Sequence, residues 1–225
     1  MQAPFRLAIL SIILSWSAYA QNGPLTFEGL PDSVVLTNQL TGAAFANAVV
    51  LATGISLNEF EFPPHGGGNV ASDNGGPMTI VVASPLRGFS GYFTHSVTLT
   101  VQALDSANNV LATTTSTLSN NQAISGVSGS HPNEFLKVSS STGIAKIVIT
   151  GSPQGTSFSL DDAALYTRCD LDLNGITDVA DAQAIVNQAL GAAQAVDDLN
   201  QDGTVDVVDA QIVTNAALGS VCEAK

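Results

Sequence analysis

Two stretches near the C-terminus carry oxygen-bearing side chains at regular intervals. Residues 170–181 read DLDLNGITDVAD, and residues 198–209 read DLNQDGTVDVVD. In both, oxygen donors stand at positions 1, 3, 5, 9 and 12, and glycine stands at position 6. This is the spacing of a calcium loop, in which position 7 adds a backbone carbonyl. The predicted calcium ligands are Asp170, Asp172, Asn174, Ile176, Asp178 and Asp181 in the first loop, and Asp198, Asn200, Asp202, Thr204, Asp206 and Asp209 in the second.

The spacing of these donors has a physical reason. Alternate side chains of a tight loop turn toward one centre, and glycine at position 6 allows a turn that a Cβ resists. Several carboxylates this close repel each other without a divalent cation, so folding of the segment is expected to be coupled to metal. Oxygen-only ligands favour calcium over zinc or magnesium. A metal-free alternative is an acidic, solvated repeat in which Asp181 and Asp209 cap helices.

Each loop is followed by an alanine-rich segment with a helical period. Residues 182–191 and 210–219 are two copies of one unit, offset by 28 residues (210 − 182), and they end at Gly191 and Gly219, where helices are usually capped. The apolar positions of one helical face are Ile185, Ala189 and Leu190 in the first copy, and Val213, Ala217 and Leu218 in the second. Because one short helix cannot bury such a face alone, the copies are expected to pack together.

A loop with its exiting helix, given twice, resembles a type I dockerin domain over residues 169–221. Asp instead of Glu at position 12, and the glycine that ends each helix, carry the resemblance. It implies two calcium ions and a helix pair related by a pseudo-twofold axis. It also implies docking to a cohesin module, which assembles polysaccharide-degrading enzymes on a scaffold.

Loop positions 10 and 11 depart from the dockerin pattern. Dockerins usually carry hydroxyl residues there and basic residues along the helix, whereas neither helix here contains Lys or Arg. The residues at these positions are Val179 and Ala180 in the first loop, and Val207 and Val208 in the second. They are candidate docking contacts for a differently built partner. The alternative is that they seal this segment against the rest of the chain.

The two cysteines, Cys169 and Cys222, bracket the acidic segment. In an exported protein such a pair is most simply one disulfide, and two free thiols are the alternative. Residues 1–20 have the basic start, apolar run and Ala-Tyr-Ala end of a signal peptide, so a secreted protein is expected. The predicted organisation is a signal peptide (1–20), a β-sandwich module (21–168) and a dockerin-like tail (169–225).

The charge balance narrows the range of partners. The formal net charge is −13, and residues 169–225 hold ten of the nineteen acidic residues but only one base, Lys225. Such a surface repels nucleic acid and anionic lipid and attracts cations. We therefore expect no nucleic-acid partner and no membrane insertion.

Residues 21–168 are rich in Val, Thr, Ser and Gly and alternate in short runs between turn signals. This pattern predicts that residues 21–168 form an antiparallel β-sandwich of the jelly-roll kind. The whole chain is then mainly β, with the small helical tail after the sandwich. Predicted strands cover 55–62, 78–83, 96–104, 109–118, 145–150 and 156–160, and those at 96–104 and 109–118 form a hairpin. First and last strands of such folds lie close together, so Glu28, Asp161 and Asp162 form a possible second kind of calcium site.

The sequence allows three classes of function for the β-sandwich module: carbohydrate binding, glycoside hydrolysis and a structural role in an extracellular matrix. Carbohydrate binding would use aromatic rings, and the segment 88–95 offers Phe89, Tyr92, Phe93 and His95, although phenylalanines at alternate positions are typical of a core. A small glycoside hydrolase would need paired carboxylates such as Glu59 and Glu61, or Glu134. A structural extracellular matrix protein needs neither. We favour a non-catalytic protein that docks through its calcium-binding tail and binds polysaccharide through its sandwich.

Overall fold

β-strands dominate residues 24–225, the part of the chain that the computed structural model describes. The predicted signal peptide lies outside these residues. The strands are β1 (Pro24–Leu25), β2 (Ala43–Ala46), β3 (Ala48–Ala52), β4 (Asn69–Asp73), β5 (Met78–His95), β6 (Thr100–Leu104), β7 (Val110–Thr115), β8 (Glu134–Thr150) and β9 (Phe158–Thr167). They are followed by α1 (Val179–Ala189) and α2 (Val207–Ala217). Within the described range, neither helix has the length and apolar character that a membrane crossing requires.

The nine strands form one sheet in which every pair of strands is antiparallel. Its main order is β3-β4-β9-β5-β8-β6-β7, with β1 beside β9 and β2 beside β5. The long strands β5 and β8 change register between Val81 and Leu86. The first part of β5 pairs with β2, and the part after the irregularity pairs with β9. The two halves of this long strand therefore have different neighbours on one side. The predicted mainly antiparallel β architecture is confirmed, and the jelly-roll connectivity stays a prediction.

The sheet encloses one continuous apolar core. The fully buried side chains include Phe27, Phe89, Phe93, Phe158 and Leu160, each no more than 1% exposed. Burying an aromatic or aliphatic side chain of this size stabilises a fold by about 1.5–3 kcal/mol, and the core therefore accounts for the rigidity of the sheet. Phe89 and Phe93 belong to this core and not to a binding surface.

Five of the six predicted strands overlap observed ones, and the predicted hairpin is β6–β7. Its turn is held by the carboxylate of Asp105, which accepts backbone hydrogen bonds from Ala107 and Asn109 at 2.8 Å. The prediction for 55–62 is wrong, since these residues form turns. The carbonyl of Asn58 accepts the amides of Glu61 and Phe62 there, which removes both amides from strand pairing.

As a consequence, Glu59 and Glu61 do not share the face of a strand. The side chain of Glu61 accepts a hydrogen bond from Gln122 at 3.1 Å. The pair of carboxylates on one strand face, considered for a hydrolase, is therefore wrong.

The two helices pack against each other in the tail (residues 169–225). Their shared core contains Ile185, Leu199 and Val213, all fully buried, together with Cys169. The disulfide between Cys169 and Cys222 is present, as predicted. Leu190 and Leu218 differ from the prediction, since they are 77% and 83% exposed.

The glycine caps explain the exposure of these two leucines. Each helix ends one residue before its leucine, and Gly191 and Gly219 then adopt positive φ values of 72° and 97°. A residue in this left-handed conformation turns the chain away from the helix axis, which places the preceding leucine outside the helix face. The predicted glycine caps are confirmed.

Two arginines, one in the sheet and one directly after it, contact the tail. Arg87 of β5 lies 2.8 Å from a carboxylate oxygen of Asp197, whose side chain is 2% exposed. Arg168, which follows β9 and is 2% exposed, donates to the carbonyls of Asp198 and Lys225 at 3.3 and 2.8 Å. Removing one partner of the Arg87–Asp197 pair would leave a buried charge without its partner, which is strongly destabilising, so this ion pair helps to hold the tail against the sheet.

Replacing both cysteines by alanine should destabilise the tail selectively. The disulfide closes a loop with a sequence separation of 53 residues. Closing such a loop restricts the unfolded chain, and its loss is expected to cost about 4 kcal/mol by the chain-entropy relation. Denaturant unfolding, followed by the helical signal in far-UV circular dichroism with EDTA present, measures the change. A loss below about 1 kcal/mol would contradict the entropic account.

Candidate calcium loops and aromatic face

The first calcium loop (residues 170–181) folds around its own carboxylates. Asp170 accepts the amide of Asn174 on one oxygen (3.1 Å) and the amide of Gly175 on the other (2.8 Å). Asp172 and Asn174 each accept the amide two residues further along the chain. These bonds bend the chain at Gly175, whose φ is +93°, and turn the side chains at positions 1, 3 and 5 toward one centre.

The second calcium loop (residues 198–209) repeats this arrangement position by position. Asp198 accepts the amides of Asp202 and Gly203 at 3.2 and 2.8 Å, and Asn200 accepts the amide two residues on. Gly203 has a φ of +96°, close to that of Gly175. Two segments with different neighbours thus adopt one hydrogen-bond pattern, because the same residue types stand at the same positions.

Position 12 joins each loop to its helix. One oxygen of Asp181 accepts the amides of Leu171 and Asp172 (2.7 and 3.2 Å), and the other accepts the amide of Asp178 (2.9 Å). Asp209 does the same in the second loop, and both carboxylates are fully buried.

The N-caps differ from those of the metal-free alternative, which placed them at Asp181 and Asp209. Asp178 and Asp206, at position 9, cap the helices, whereas Asp181 and Asp209 take the third helical position of a capping box. The helices accordingly begin at Val179 and Val207, three residues before the predicted segments.

The donor set of the first loop fits a cation. Oxygens of Asp170, Asp172 and Asp181 lie within 4.8 Å of one another, and within residues 24–225 this is the one group of three acids that meets this criterion. In the second loop an amide, Asn200, replaces the carboxylate at position 3. Burial raises the pKa of Asp170 to about 6, and the nearby charges of Asp181 and Asp172 add to the shift. A divalent cation would relieve this repulsion.

The side chains at loop positions 10 and 11 face solvent. Val179 and Val207 are 78% and 75% exposed, Val208 is 48% exposed, and Ala180 is also exposed. The alternative in which they seal the tail against the sheet is therefore wrong. The tail contacts the sheet instead through polar bonds such as that from Lys137 Nζ to the carbonyl of Leu173 at 3.0 Å.

Glu28, Asp161 and Asp162 meet at one glycine-rich loop, residues 65–69. Glu28 accepts two amides of this loop at 2.9 Å, and Asp161 accepts two others at 2.8 and 2.9 Å. Asp162 lies 2.8 Å from Nδ1 of His65. Burial raises the pKa of Asp161 above its usual value. The structure thus brings the three predicted carboxylates to one loop, which they anchor, and calcium binding by them stays a prediction.

An aromatic cluster lies beside that loop on the sheet. The ring of His65 stacks on Tyr92 with centroids 3.4 Å apart and an interplanar angle of 8°. Tyr92 pairs across strands with Phe135 of β8, and their centroids are 5.2 Å apart. Phe135 is 48% exposed. Of the aromatic residues proposed from the sequence, only Tyr92 belongs to this cluster, since Phe89 and Phe93 point into the core.

His95 is buried and pairs with a carboxylate. Its Nε2 lies 3.0 Å from one oxygen of Glu134, and the other oxygen of Glu134 accepts the amide and hydroxyl of Thr117 at 2.8 Å. A cavity of about 270 Å³ lies next to Glu134 and is lined by Thr117, Leu118, Asn121, Gly129, His131, Glu134 and Phe135. Sequence reasoning missed Phe135 and this cavity, because the lining residues lie in the loop before β8 and at its start, and no local pattern shows how that loop folds back on the strand.

Comparisons with known proteins give weak likenesses. No protein-family model and no curated protein matches the chain. A DUF4465 family protein from Bacteroides caccae is 12% identical, with a TM-score of 0.42 over 64% of this chain and 98% of that one. A family 6 carbohydrate-binding module is 13% identical, with a TM-score of 0.33 over 59% of this chain and 92% of that one. A family 29 carbohydrate-binding module is 10% identical, with a TM-score of 0.35 over 61% and 90%. TM-scores below 0.5 carry no functional argument, so the function rests on this chain's own residues.

Calcium binding by the first loop should weaken in acid. The pKa of Asp170 is about 6 in the folded chain and 3.8 for an unperturbed aspartate, so acid favours the folded, metal-free loop and calcium must displace its proton. The affinity of one calcium site is expected to fall by up to roughly tenfold between pH 6 and pH 5. Calorimetric titration with calcium at several pH values measures this change in affinity. The Asp170→Asn variant should lack the fall in affinity between pH 6 and pH 5. Equal affinities at pH 7.5 and pH 5 would contradict it.

Proposed function

We propose that this chain is a secreted, non-catalytic calcium-binding protein whose tail is a dockerin-like docking module. One observation carries the proposal: both loops present oxygen donors at the same positions and hold them with the same hydrogen bonds. The six donors of each loop are those named from the sequence. Each calcium ion would supply the positive charge that the buried carboxylates of its loop lack.

The exposed valines support docking as the role of this tail. Val179 and Val207 stand at the first position of their helices, on the two copies of one unit. They contribute little to the fold because most of their surface is in water. An apolar side chain held at a rigid helix start is suited to a partner's apolar surface, and a cohesin-like module is the partner that the dockerin resemblance implies.

Calorimetry should find two calcium ions per chain. Asp181→Ala and Asp209→Ala remove the residue that closes one loop each, so each variant should retain one site and lose the other. Glu223→Ala is the matched control, since Glu223 is an exposed acid of the tail outside both loops. It should keep both sites. Failure of the wild-type protein to bind calcium at up to millimolar concentrations would overturn the proposal.

Docking should depend on calcium and on the valines. We expect at least one of a panel of immobilised cohesin modules to retain the protein in calcium and to release it in EDTA. Val179→Asp with Val207→Asp should abolish retention at unchanged calcium affinity, because both side chains are exposed and charge disrupts an apolar contact. Ile55→Asp is the control, a substitution at an exposed apolar side chain (74%) before β4. Retention by none of the modules would contradict docking to cohesins and leave calcium binding untouched.

A second function, carbohydrate binding by the sheet, is favoured by the aromatic cluster of His65, Tyr92 and Phe135. Sugar rings stack their C–H faces on exposed aromatic rings, and hydroxyl groups find polar partners nearby. Phe135 offers such a ring at the surface. The same face would suit a hydrolase only if it carried two free carboxylates, and Glu134 is already bonded to His95 and Thr117. Binding without release of reducing sugar separates the two functions.

A further inference from the structure

We propose that Phe135 and the adjoining cavity at Glu134 form the binding site for one residue of a neutral glycan. The inference rests on the proposed carbohydrate-binding function and specifies its site and ligand class. The cavity of about 270 Å³ is at the lower limit for small-molecule sites, which suits a single sugar ring.

The site combines an apolar wall at the start of β8 with polar groups of the loop that precedes it. Phe135 supplies the wall, while Asn121 and His131 come from the segment between β7 and β8. The carbonyl oxygen of Asn121 accepts the amide of His95 at 2.6 Å, and its amide group donates to the carbonyl of Phe93 at 2.9 Å. These bonds to β5 hold Asn121 in place, so this part of the cavity wall has a fixed orientation.

Glu134 is held so that one of its oxygens can accept another hydrogen bond. Its first oxygen accepts two hydrogen bonds from Thr117, whereas its second has one partner, Nε2 of His95. A carboxylate oxygen has about two acceptor positions, so the second oxygen has one left. The side chain is 14% exposed, which lets a ligand reach it from the cavity.

The charge state of Glu134 agrees with this role. Burial alone would raise its pKa, but hydrogen bonds from the Thr117 amide and from His95 outweigh burial and lower it. Glu134 is therefore ionised at neutral pH and acts only as an acceptor. A sugar hydroxyl can donate to it, whereas the carboxylate of an acidic sugar would be repelled.

The net charge of the chain also favours a neutral glycan over an acidic one. A formal charge of −13 raises the cost of bringing a polyanionic glycan to any part of the surface. Neutral polysaccharides carry no such penalty and present the alternating apolar faces and hydroxyl groups that the wall and Glu134 require.

Affinity electrophoresis of the full-length mature chain tests the site. The probes are mixed-linkage β-glucan, xylan, galactomannan and, as the acidic arm, polygalacturonate. Phe135→Ala removes the wall and Glu134→Gln removes the charge while keeping the shape. Phe60→Ala is the matched control, because Phe60 is 79% exposed and lies outside both the aromatic cluster and the cavity. Melting curves verify that each variant is folded.

The site is supported if a neutral polysaccharide retards the wild type and both site variants weaken binding at least tenfold while the control does not. Undiminished binding by both folded site variants would overturn the site and leave carbohydrate binding intact. Retardation by polygalacturonate alone would overturn the ligand class. Absence of retardation with all four probes would count against carbohydrate binding itself, and the site would fall with it.

Discussion

The tail depends on one kind of interaction: a buried carboxylate at position 12 that accepts three backbone N–H groups. Asp181 and Asp209 each tie the start of a loop to the start of its helix. Hydrogen bonds from amides stabilise the ionised form, but a fully buried negative charge remains costly beside two or three others. The hydrogen bonds that organise the loop therefore also gather negative charges that a bound cation would offset. Under the proposed function, the folding of each loop and its calcium affinity would depend on the same residue, Asp181 or Asp209.

Attraction between opposite charges also attaches the tail to the sheet. A tail with ten acidic residues and one basic residue meets two arginines, Arg87 in the sheet and Arg168 directly after it, which reach Asp197 and the carbonyl of Asp198. Asp198 is position 1 of the second loop. The carboxylates of Asp197, Asp198 and Asp209 stabilise the charge of Arg168, and they would likewise offset the charge of a cation in that loop. The backbone carbonyl of Asp198, the first proposed ligand of the second loop, is thus bonded to Arg168 directly after β9.

Local chemistry could be predicted from the sequence, and long-range assembly could not. The loops, the glycine caps, the disulfide and the β6–β7 hairpin each depend on residues within one short segment or on a single pair, so residue type and spacing were sufficient. Residues 55–62 alternate in polarity like a strand, but the carbonyl of Asn58 captures two amides and produces turns. No local pattern indicates that choice. The proposed site at Phe135 could not be predicted for a related reason. It depends on the strand register that places Phe135 opposite Tyr92 and on the buried His95 that orients Glu134, and neither is visible in a local pattern.

The two regions with proposed functions share one strand. On β8, Phe135 and Lys137 are two residues apart and therefore project from the same face of the sheet. Phe135 belongs to the aromatic cluster, while Lys137 lies 4.7 Å from the centre of the Tyr166 ring and donates to the carbonyl of Leu173 in the first calcium loop. The strand β8 thus connects the tail with the aromatic cluster. Because the first loop is held on the same face as Phe135, a partner docked on the tail and a glycan on the sheet would be kept at a fixed separation.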